Sequence, residues 1–555
     1  MQLESFLEAS ALRRPDKVAL VAGSSRWTYA QVDAAANRLA HGLLAEGVER
    51  GERVAVWLEN GVEAVVAIFA VLKAGAVLMM VNPTTKAEKL RVLLNNSRAA
   101  ALLAPASKLA GLGEMWPQTP YLRVAIACGS AMGNGEPQGP QPRCLRFDAL
   151  LARHAADDRP PEKRAVDVDL AALVYTSGST GSPKGVMFTH QNLVSLASSI
   201  TTYLRNTEDD VIFNVLPLSF GYGLFQVLMG AKIGGTVVLE RSFAYPHAAI
   251  RRLVEERATG FPLVPTMAAM LLQMDLSKVD WSGLRYVTSA GAALPVEHIA
   301  RLRRLFPHVQ IYSMYGLTEC MRASYLEPEE IDRRPASVGR GMPNQEAWLV
   351  DEHGCRVGPD TVGELVVRGA HVMKGYWELP AETAVRLRPG PLLGENVLHT
   401  GDLFRKDDEG YLYFVGRKDD ILKSRGEKVS PKEVEDVLHA HPEIVEAAVI
   451  GIPDEILGQA VKAVVVVKEG SRLTQRDVLR HCAARLEDFM VPKIVEFQPA
   501  LPRTANGKID KRALSLNGKS NEEALSPAQA FTPGTGEGTL DLQPLPGAFV
   551  EAGPM

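Results

Sequence analysis

Residues 175–185, which read YTSGSTGSPKG, are the stretch that decides the fold. They follow an apolar segment, 171–175, that predicts a buried strand, and they precede a helical pattern that begins at His190. Glycines and small hydroxyl residues let backbone N–H groups approach phosphate oxygens, and Lys184 adds a positive charge. Because Lys184 lies between Pro183 and Gly185, the segment is not a Walker A loop. A flexible Ser/Gly linker is the alternative, but a position between two elements favours a phosphate-binding loop.

On the N-terminal side of this segment, helix and strand patterns alternate. Residues 29–47 and 62–72 predict helices, whereas 53–58 and 76–81 predict short buried strands. This alternation predicts an α/β fold in which helices cover a parallel sheet. Further strands are predicted at 211–216, 236–239, 285–289 and 310–312. The glycine-flanked strands at 364–368 and 411–415 predict antiparallel pairing, so the sheets are expected to change character after about residue 340.

Charge and composition divide the chain into three parts. We predict a large N-terminal domain of stacked sheets and helices over 1–415 and a small, mobile α+β domain over 416–515, which begins with the charged stretch GRKDDILKSRGEKVSP. Residues 516–555 are rich in Gly, Pro, Ser and Thr and are expected to form a disordered tail. The loop-like segment 133–142 is rich in glycine and proline.

The composition also excludes several functional classes. The chain has 555 residues, and its 61 Lys and Arg against 65 Asp and Glu argue against nucleic-acid binding as the main function. Five scattered cysteines without a CxxC pair predict neither a zinc site nor a disulfide framework. No signal peptide or membrane span is predicted, since the most apolar stretch, 65–81, is interrupted by Lys73 and Gly75. We therefore expect a cytoplasmic protein.

The segment 176–185 resembles the phosphate-binding signature of the adenylate-forming superfamily, which includes acyl- and aryl-CoA ligases, adenylation domains and luciferases. Four further stretches resemble motifs of that superfamily in the same order: YGLTE (315–319), TGD (400–402), GRKD (416–419) and PRTANGK (502–508). Five motifs in order, spread over about residues 10–515, are highly specific. The resemblance implies a ligase that converts a carboxylic acid and ATP to acyl-AMP and pyrophosphate, and then forms a thioester, most simply with coenzyme A.

The resemblance also assigns roles to single residues. Lys508 would bridge carboxylate and phosphate oxygens, Thr318 and Thr176 would bond phosphate oxygens, and Glu319 would ligate Mg²⁺, which prefers oxygen donors. Such groups neutralise the repulsion between two anions that must react. A plain helix-capping role is the alternative for Glu319. The residues assigned to ATP and coenzyme A are Thr176, Ser177, Gly178, Ser179, Thr180, Gly181, Lys184, Gly291, Ala292, Ala293, Tyr315, Gly316, Asp402, Arg417, Lys423, Arg425 and Gly426.

Within this set, Tyr315 would face adenine, while Asp402 and Arg417 would bind the ribose hydroxyls. Relatives often have Asn or Gln at the position of Ser313, so the detail of base recognition departs from the pattern. Asp419 would be the hinge about which the small domain turns between two half-reactions. One orientation would bring in Lys508, and the other the 423–426 loop beside a thiol tunnel. Retention of the charged motif residues argues against a non-catalytic relative.

The acid is addressed by a separate set of residues. Relatives that use amino acids have an aspartate where this chain has Gly221, and a buried ammonium without a carboxylate would be costly, so we disfavour amino acids. The predicted pocket comprises Phe220, Gly221, Tyr222, Phe225, Pro265, Thr266, Ala290, Met314 and Met321. Among these, the aromatic residues Tyr222 and Phe225 and the two methionines favour an aryl acid such as benzoate or anthranilate.

Three questions about substrate and assembly stay open at this point. A medium- or long-chain fatty acid is an alternative to the aryl acid, because Gly221 and Gly223 leave room. A stand-alone enzyme that loads an acyl carrier protein is a second alternative, since no carrier motif follows in the chain. The protein is expected to be a monomer or a homodimer.

Overall fold

The structure is a computed structural model, and it describes residues 1–129, 142–177, 183–418, 420–424, 427–454, 458–504 and 507–515. The predicted loop 133–142, apart from Pro142, and the predicted tail 516–555 lie outside these residues. In chain order the first elements are α1 (Ser5–Arg13), β1 (Val18–Ala22), β2 (Ser25–Thr28), α2 (Tyr29–Ala45), β3 (Arg53–Val56), α3 (Val62–Lys73), β4 (Val77–Met80), α4 (Ala87–Ser97), β5 (Ala99–Pro105), α5 (Ala106–Leu109), β6 (Val124–Cys128), β7 (Arg143–Arg146) and α6 (Phe147–Arg153).

The central part of the chain continues the alternation of strands and helices. Its elements are β8 (Leu170–Ser177), β9 (Pro183–Thr189), α7 (His190–Tyr203), β10 (Val211–Asn214), α8 (Gly221–Ile233), β11 (Thr236–Leu239), α9 (Pro246–Glu255), β12 (Gly260–Leu263), α10 (Pro265–Leu271), β13 (Tyr286–Ser289), α11 (Val296–Leu305), β14 (Gln310–Tyr315), β15 (Ser324–Tyr325) and β16 (Arg340–Gly341).

The remaining elements are mostly strands. They are β17 (Gln345–Val350), β18 (Gly363–Gly369), β19 (Gly375–Tyr376), α12 (Pro380–Arg386), β20 (Leu387–Pro389), β21 (Asn396–Lys406) and β22 (Leu412–Arg417), followed by β23 (Leu422–Ser424), β24 (Glu427–Val429), α13 (Pro431–His439), β25 (Ile444–Asp454), β26 (Gly458–Val467), α14 (Gln475–Ala483) and β27 (Ile494–Phe497).

These strands form four sheets. An eight-stranded sheet has the order β19-β9-β8-β4-β3-β5-β6-β7, and a nine-stranded sheet has the order β16-β15-β14-β13-β12-β10-β11-β1-β2. Both are parallel at their centres, as the alternation predicts. A third sheet, β17-β18-β21-β20 with β22 beside β21, is antiparallel, which confirms the predicted change of character. The α/β fold class is therefore confirmed.

The fourth sheet belongs to the C-terminal part and has its own core. Strands β23 to β27 form it, within the part of the chain that was predicted to be a small α+β domain. A buried apolar cluster that includes Val434, Val449 and Val478 packs on this sheet, apart from the large cluster that joins the other three. The separate cores support a boundary near residues 415 and 416, which we retain as a proposal.

The phosphate-loop prediction needs one correction. Strand β8 pairs with an antiparallel strand, β9, and helix α7 begins only at His190. Strand β9 was not predicted, because PKGVMFT reads as a continuation of the loop. Residues 178–182, between these two strands, lie outside the described residues. A capping box between Thr189 and Asn192 then starts α7 at the end of the hairpin.

None of the helices in the described ranges combines the length and the apolarity that crossing a membrane requires. The same ranges contain no group of three or more His, Cys, Asp or Glu side chains arranged to hold a metal ion.

Candidate active site

Two adjacent parallel strands bring the GAA and YGLTE segments to one edge of the nine-stranded sheet. Strands β13 and β14 pair with Ser289 opposite Ser313, so Gly291 and Tyr315 lie just beyond the paired residues. The carboxyl ends of parallel strands are a usual place for ligand sites in such sheets. Gly291 has φ +94°, and a Cβ added to it would lie 3.6 Å from Phe220 Cζ and 3.7 Å from Lys508 Cε. The C-terminal lysine therefore reaches this edge.

Asp402 is the centre of a buried polar cluster beside this edge. The pairing of β21 with β22 sets Asp402 opposite Arg417, whose Nε lies 3.1 Å from Asp402 Oδ1. The Tyr315 hydroxyl donates a hydrogen bond to Asp402 Oδ2 at 2.6 Å. Burial raises the pKa of Asp402, and the Arg417 guanidinium and the Tyr315 hydroxyl oppose that shift. The buried Oδ1 still has no hydrogen-bond partner in the described part of the chain, so it is an acceptor ready for a ligand hydroxyl.

Glu319 forms a second polar cluster with a residue that the sequence did not predict. The Tyr376 hydroxyl donates to Glu319 Oε1 at 2.6 Å, and Lys184 Nζ lies 5.4 Å from the centre of the Tyr376 ring. Strand β19 pairs with β9, so Tyr376 lies opposite Val186, close to Lys184. Burial and the nearby Glu319 raise the pKa of Tyr376. Nothing in the segment KGYW (374–377) itself predicts a contact with Glu319. The contact depends on the pairing of β19 with β9, which are far apart in the sequence.

Lys508 lies in the cleft between these clusters and Phe220. Its Nζ is 6.0 Å from the centre of the Phe220 ring, although part of the side chain remains open to solvent. Burial among the surrounding groups and the positive charge of Arg417 lower the pKa of Lys508, while the Asp402 and Glu319 carboxylates oppose the shift. Residues predicted from five separate motifs are therefore neighbours.

A narrow cavity adjoins this cleft and contains most of the predicted acid pocket. Of the predicted residues, Gly221, Tyr222, Phe225, Met314 and Met321 line it, whereas Phe220, Pro265, Thr266 and Ala290 do not. Phe220 instead contacts the cleft at Gly291 and Lys508. Pro265 begins α10, and Ala290 immediately precedes Gly291. Seven lining residues were not predicted: Ile200, Tyr203, Leu204, Gln226, Met229, Thr288 and Arg322.

The cavity is narrow, and neither Gly221 nor Gly223 adds free volume to it. Its volume of about 20 Å³ is enough for about one water molecule. A Cβ on Gly221 would lie 2.4 Å from Met321 Sδ, so the Met321 side chain occupies that space. A Cβ on Gly223 would lie 2.3 Å from the Pro217 carbonyl oxygen, so Gly223 permits close backbone packing and adds no room. The expectation that both glycines widen the pocket is thus wrong for this structure.

Some predicted residues have no described side-chain environment. Gly178, Ser179, Thr180, Gly181, Asp419, Arg425 and Gly426 lie outside the described residues, and Ser177 and Lys423 are described only as members of β8 and β23. Thr176 pairs with Lys184 across the hairpin. Thr318 lies in the turn after β14, and Ala292 and Ala293 follow Gly291. A Cβ on Gly316 would lie 2.4 Å from the Met321 carbonyl oxygen, which explains the glycine there.

Comparison with known proteins agrees with this arrangement. The model of the family described as "AMP-binding enzyme" matches residues 7–377, and that of its C-terminal domain matches 433–508. A long-chain-fatty-acid–CoA ligase of Bacillus subtilis (strain 168) is 31% identical over 542 residues, which cover 92% of this chain and 94% of the relative. A ligase of the same name from Escherichia coli O157:H7 is 32% identical, with 94% and 96% covered.

Solved structures give the same class. The anthranilate CoA ligase AuaEII in complex with anthranoyl-AMP superposes with a TM-score of 0.85 at 27% identity, with 94% of this chain and 98% of that chain covered. ATP-bound MatB from Rhodopseudomonas palustris gives a TM-score of 0.82 at 30% identity, with 94% and 100% covered. The chain belongs to the AMP-binding enzyme family. The prediction of an AMP-forming acid–CoA ligase of the adenylate-forming superfamily is confirmed at this level.

Proposed function

We propose that the enzyme activates an aryl carboxylic acid as its acyl-AMP and transfers the acyl group to coenzyme A. The observation that carries the aryl assignment is the pair of aromatic side chains, Tyr222 and Phe225, in the walls of the cavity. A flat ring needs less depth than an alkyl chain and packs well on aromatic walls. The similarity to an anthranilate CoA ligase supports the same assignment.

The polar clusters fit the nucleotide half of this reaction. Asp402 Oδ1 would accept a hydrogen bond from a ribose hydroxyl, and Arg417 would hold the same sugar. Tyr315 would lie against the base beside Gly291, Ala292 and Ala293. Thr176 and Lys184, which lie opposite each other on β8 and β9, would contact the phosphates together with the signature residues between the two strands. The two sides of the cleft would thereby position ATP with its α-phosphorus near Lys508.

Lys508 would act where the two anions meet. A carboxylate oxygen of the acid attacks the α-phosphorus, and the bond to pyrophosphate breaks. The Lys508 ammonium would donate to the carboxylate and to an α-phosphate oxygen, which offsets the repulsion between them. In the second step the thiol sulfur of coenzyme A attacks the acyl carbonyl, the thiol proton is lost, and AMP leaves. We propose that rotation of the small domain about Asp419 separates the two steps.

Glu319 is the residue that would hold a magnesium ion. It forms no ion pair with a basic side chain in the described residues, and its partner Tyr376 is a neutral donor. A single carboxylate fits magnesium, which takes its other ligands from phosphates and water. When bound, the ion neutralises phosphate charge.

A fatty acid is the second candidate, because the curated relatives include two long-chain-fatty-acid–CoA ligases. As for the aryl acid, the cavity admits a fatty acid only if the Met321 side chain moves away from Gly221. A carrier-protein acceptor is a third candidate, and a segment of a linear gramicidin synthase from Brevibacillus parabrevis that spans 6% of that protein is 31% identical.

A pyrophosphate-exchange screen over benzoates, aminobenzoates, cinnamates and fatty acids of graded length tests the acid. We expect the highest kcat/KM with an aryl acid, and a maximum at a long fatty acid would overturn that assignment. Thioester formation with free coenzyme A, compared with a phosphopantetheinylated carrier protein, tests the acceptor. A product on the carrier alone would contradict coenzyme A.

A further inference from the structure

Arg322 is a buried arginine in the wall of the acid cavity. Only 5% of the residue is exposed, and it lines the cavity together with Tyr203 and Tyr222. Its Cζ lies 5.2 Å from the centre of the Tyr222 ring. It follows Met321, the residue that fills the space above Gly221. The cavity wall therefore contains a permanent positive charge, because the guanidinium stays protonated in proteins.

No carboxylate compensates this charge. Arg322 Nε has no hydrogen-bond partner, and the guanidinium forms no ion pair within the part of the chain that the structure describes. Its polar neighbours Tyr203 and Tyr222 are phenols, and burial raises the pKa of both, that of Tyr203 to about 12. These phenols stay neutral at physiological pH. A buried charge without a counter-charge destabilises the protein that contains it.

Arg334 is a second buried arginine, and it differs from Arg322 in its partners. It is 7% exposed, and it contacts three carboxylates: those of Glu330, Asp407 and Glu409. The chain thus supplies carboxylates at one buried arginine and only neutral tyrosines at the other. The difference indicates that the counter-charge of Arg322 comes from a ligand.

A chain of neighbouring side chains links Lys508 to Arg322. Lys508 Nζ lies 6.0 Å from the Phe220 ring, that ring lies 6.2 Å from the Tyr222 ring, and Arg322 Cζ is 5.2 Å from the Tyr222 ring. An acid with its reacting carboxylate at Lys508 would run beside Phe220 and Tyr222. Its other end would then face the guanidinium.

Building on the proposed function, we propose that the substrate is a dicarboxylic acid whose second carboxylate binds Arg322. The planar guanidinium presents paired N–H donors that match both oxygens of a carboxylate. Displacement of the flexible Met321 side chain would make room for the ligand. Arg322 would then be a specificity-determining residue, distinct from Lys508 and from the nucleotide clusters.

The test uses pairs of acids that differ only in the distal carboxylate: benzoate with terephthalate, and hexanoate with adipate. Pyrophosphate exchange is measured for the wild type, Arg322→Met and Arg322→Lys. In the wild type we expect the diacid to be preferred. In Arg322→Met, kcat/KM for the diacid should fall roughly 10- to 100-fold, mainly through KM, while kcat/KM for the monoacid should change much less. Arg322→Lys should retain part of the preference, since it keeps the charge but loses the paired donors.

Arg334→Met is the matched control. It removes one member of a compensated buried cluster, so it should lower Tm, whereas Arg322→Met should leave Tm unchanged or raise it. Arg334→Met should also leave the preference between the two acids unchanged. An equal loss of both acids in Arg322→Met, or a lowered Tm with no change in preference, would assign Arg322 to the structure alone.

Failure of the proposed function gives a different result. If the wild type forms no CoA thioester from any acid, the proposed function is wrong. The binding of the acids is then measured directly, from the shift of Tm that each acid causes with ATP present. Stabilisation of the wild type by terephthalate or adipate, absent in Arg322→Met, would still support the diacid site. Turnover of monoacids alone, with no effect of Arg322→Met on selectivity, would overturn the inference while leaving the ligase assignment intact.

Discussion

The nucleotide side and the acid side of the cleft are built in opposite ways. On the nucleotide side the functional groups contact one another before any ligand binds: Tyr315 and Arg417 hold Asp402, and Tyr376 holds Glu319. On the acid side Met321 fills the space above Gly221, and the Arg322 charge has no counter-charge among the described residues. The first side is preorganised for its ligand, whereas the second must rearrange to admit one.

This difference indicates where substrate selection occurs. A preorganised site binds one ligand well because its groups do not reorient, and ATP is common to the whole superfamily. A cavity that must open selects the ligand whose contacts offset the free-energy cost of the rearrangement. Substitutions on the nucleotide side should therefore affect all acids alike, and those on the acid side should affect acids differently.

Lys508→Ala is expected to have the largest effect. Pyrophosphate exchange should fall about 10²- to 10³-fold, because the variant lacks the cation that stabilises charge at the reacting centre. Thioester formation from supplied acyl-AMP should change far less. Lys511, three residues further on, pairs with Glu435, so Lys511→Ala is the matched control and should retain both half-reactions. Equal losses in the two half-reactions of Lys508→Ala would contradict the two-orientation scheme.

Asp402→Asn tests the preorganised side next. The substitution removes the charge that Arg417 faces and weakens the acceptor for the ribose, so KM for ATP should rise roughly 10- to 100-fold for every acid. Steady-state kinetics with ATP and 2′-deoxy-ATP checks this. The wild type should discriminate between the two nucleotides, and Asp402→Asn should discriminate less. A rise in KM for the acid but not for ATP would place Asp402 on the acid side of the cleft and contradict its assignment to the nucleotide.

Most of the nucleotide side was predictable because short motifs carry it. Asp402 and Arg417 belong to two neighbouring motifs on adjacent strands, so strand pairing brings them together. Tyr376 was not predictable, since its contact with Glu319 depends on the pairing of β19 with β9. The alternation of helices and strands gave the two parallel-centred sheets, but strand β9 was missed because its first residues continue a glycine- and serine-rich pattern.

Prediction was weaker on the acid side, where packing matters more than motifs. Gly223 suggested extra room in the pocket. In the structure, however, the Pro217 carbonyl packs so closely against Gly223 that a side chain would not fit there. Arg322 lies three residues after Glu319 and still was not predicted, because a single arginine in a sequence is usually a solvated surface residue. Its burial follows from the packing of α7, α8 and β14 around the cavity, which no local pattern reveals.

Met321→Ala probes the rearrangement on the acid side and should have a moderate effect. Removing the side chain above Gly221 widens the cavity, so kcat/KM for longer or bulkier acids should rise about tenfold relative to small ones. The positive φ of Met321, +59°, is unfavourable for alanine as well, so the backbone strain should stay. Met270→Ala, at an exposed methionine, is the control. An unchanged ranking of acids would show that Met321 does not limit the cavity.

The smallest effect is expected where the two parts of the protein meet at His298 and His439. His298 on α11 and His439 on α13 pack edge to face with ring centres 5.6 Å apart, and burial lowers the pKa of each from 6.5 to about 4. Because the depressed pKa values favour the neutral rings in this packed arrangement, its stability is fully present above about pH 6.5. It decreases as the pH falls from there toward 4.

Pyrophosphate exchange, which needs this orientation of Lys508, should therefore decline a few-fold between about pH 6.5 and 5, beyond any effect of substrate ionisation. The His298→Phe/His439→Phe double variant keeps two packed rings but cannot be protonated, so its profile should be flatter over that range. Thioester formation from supplied acyl-AMP is the internal control, since it does not require this orientation. Identical profiles for the wild type and the double variant would show that protonation of this pair does not control the contact between the two domains.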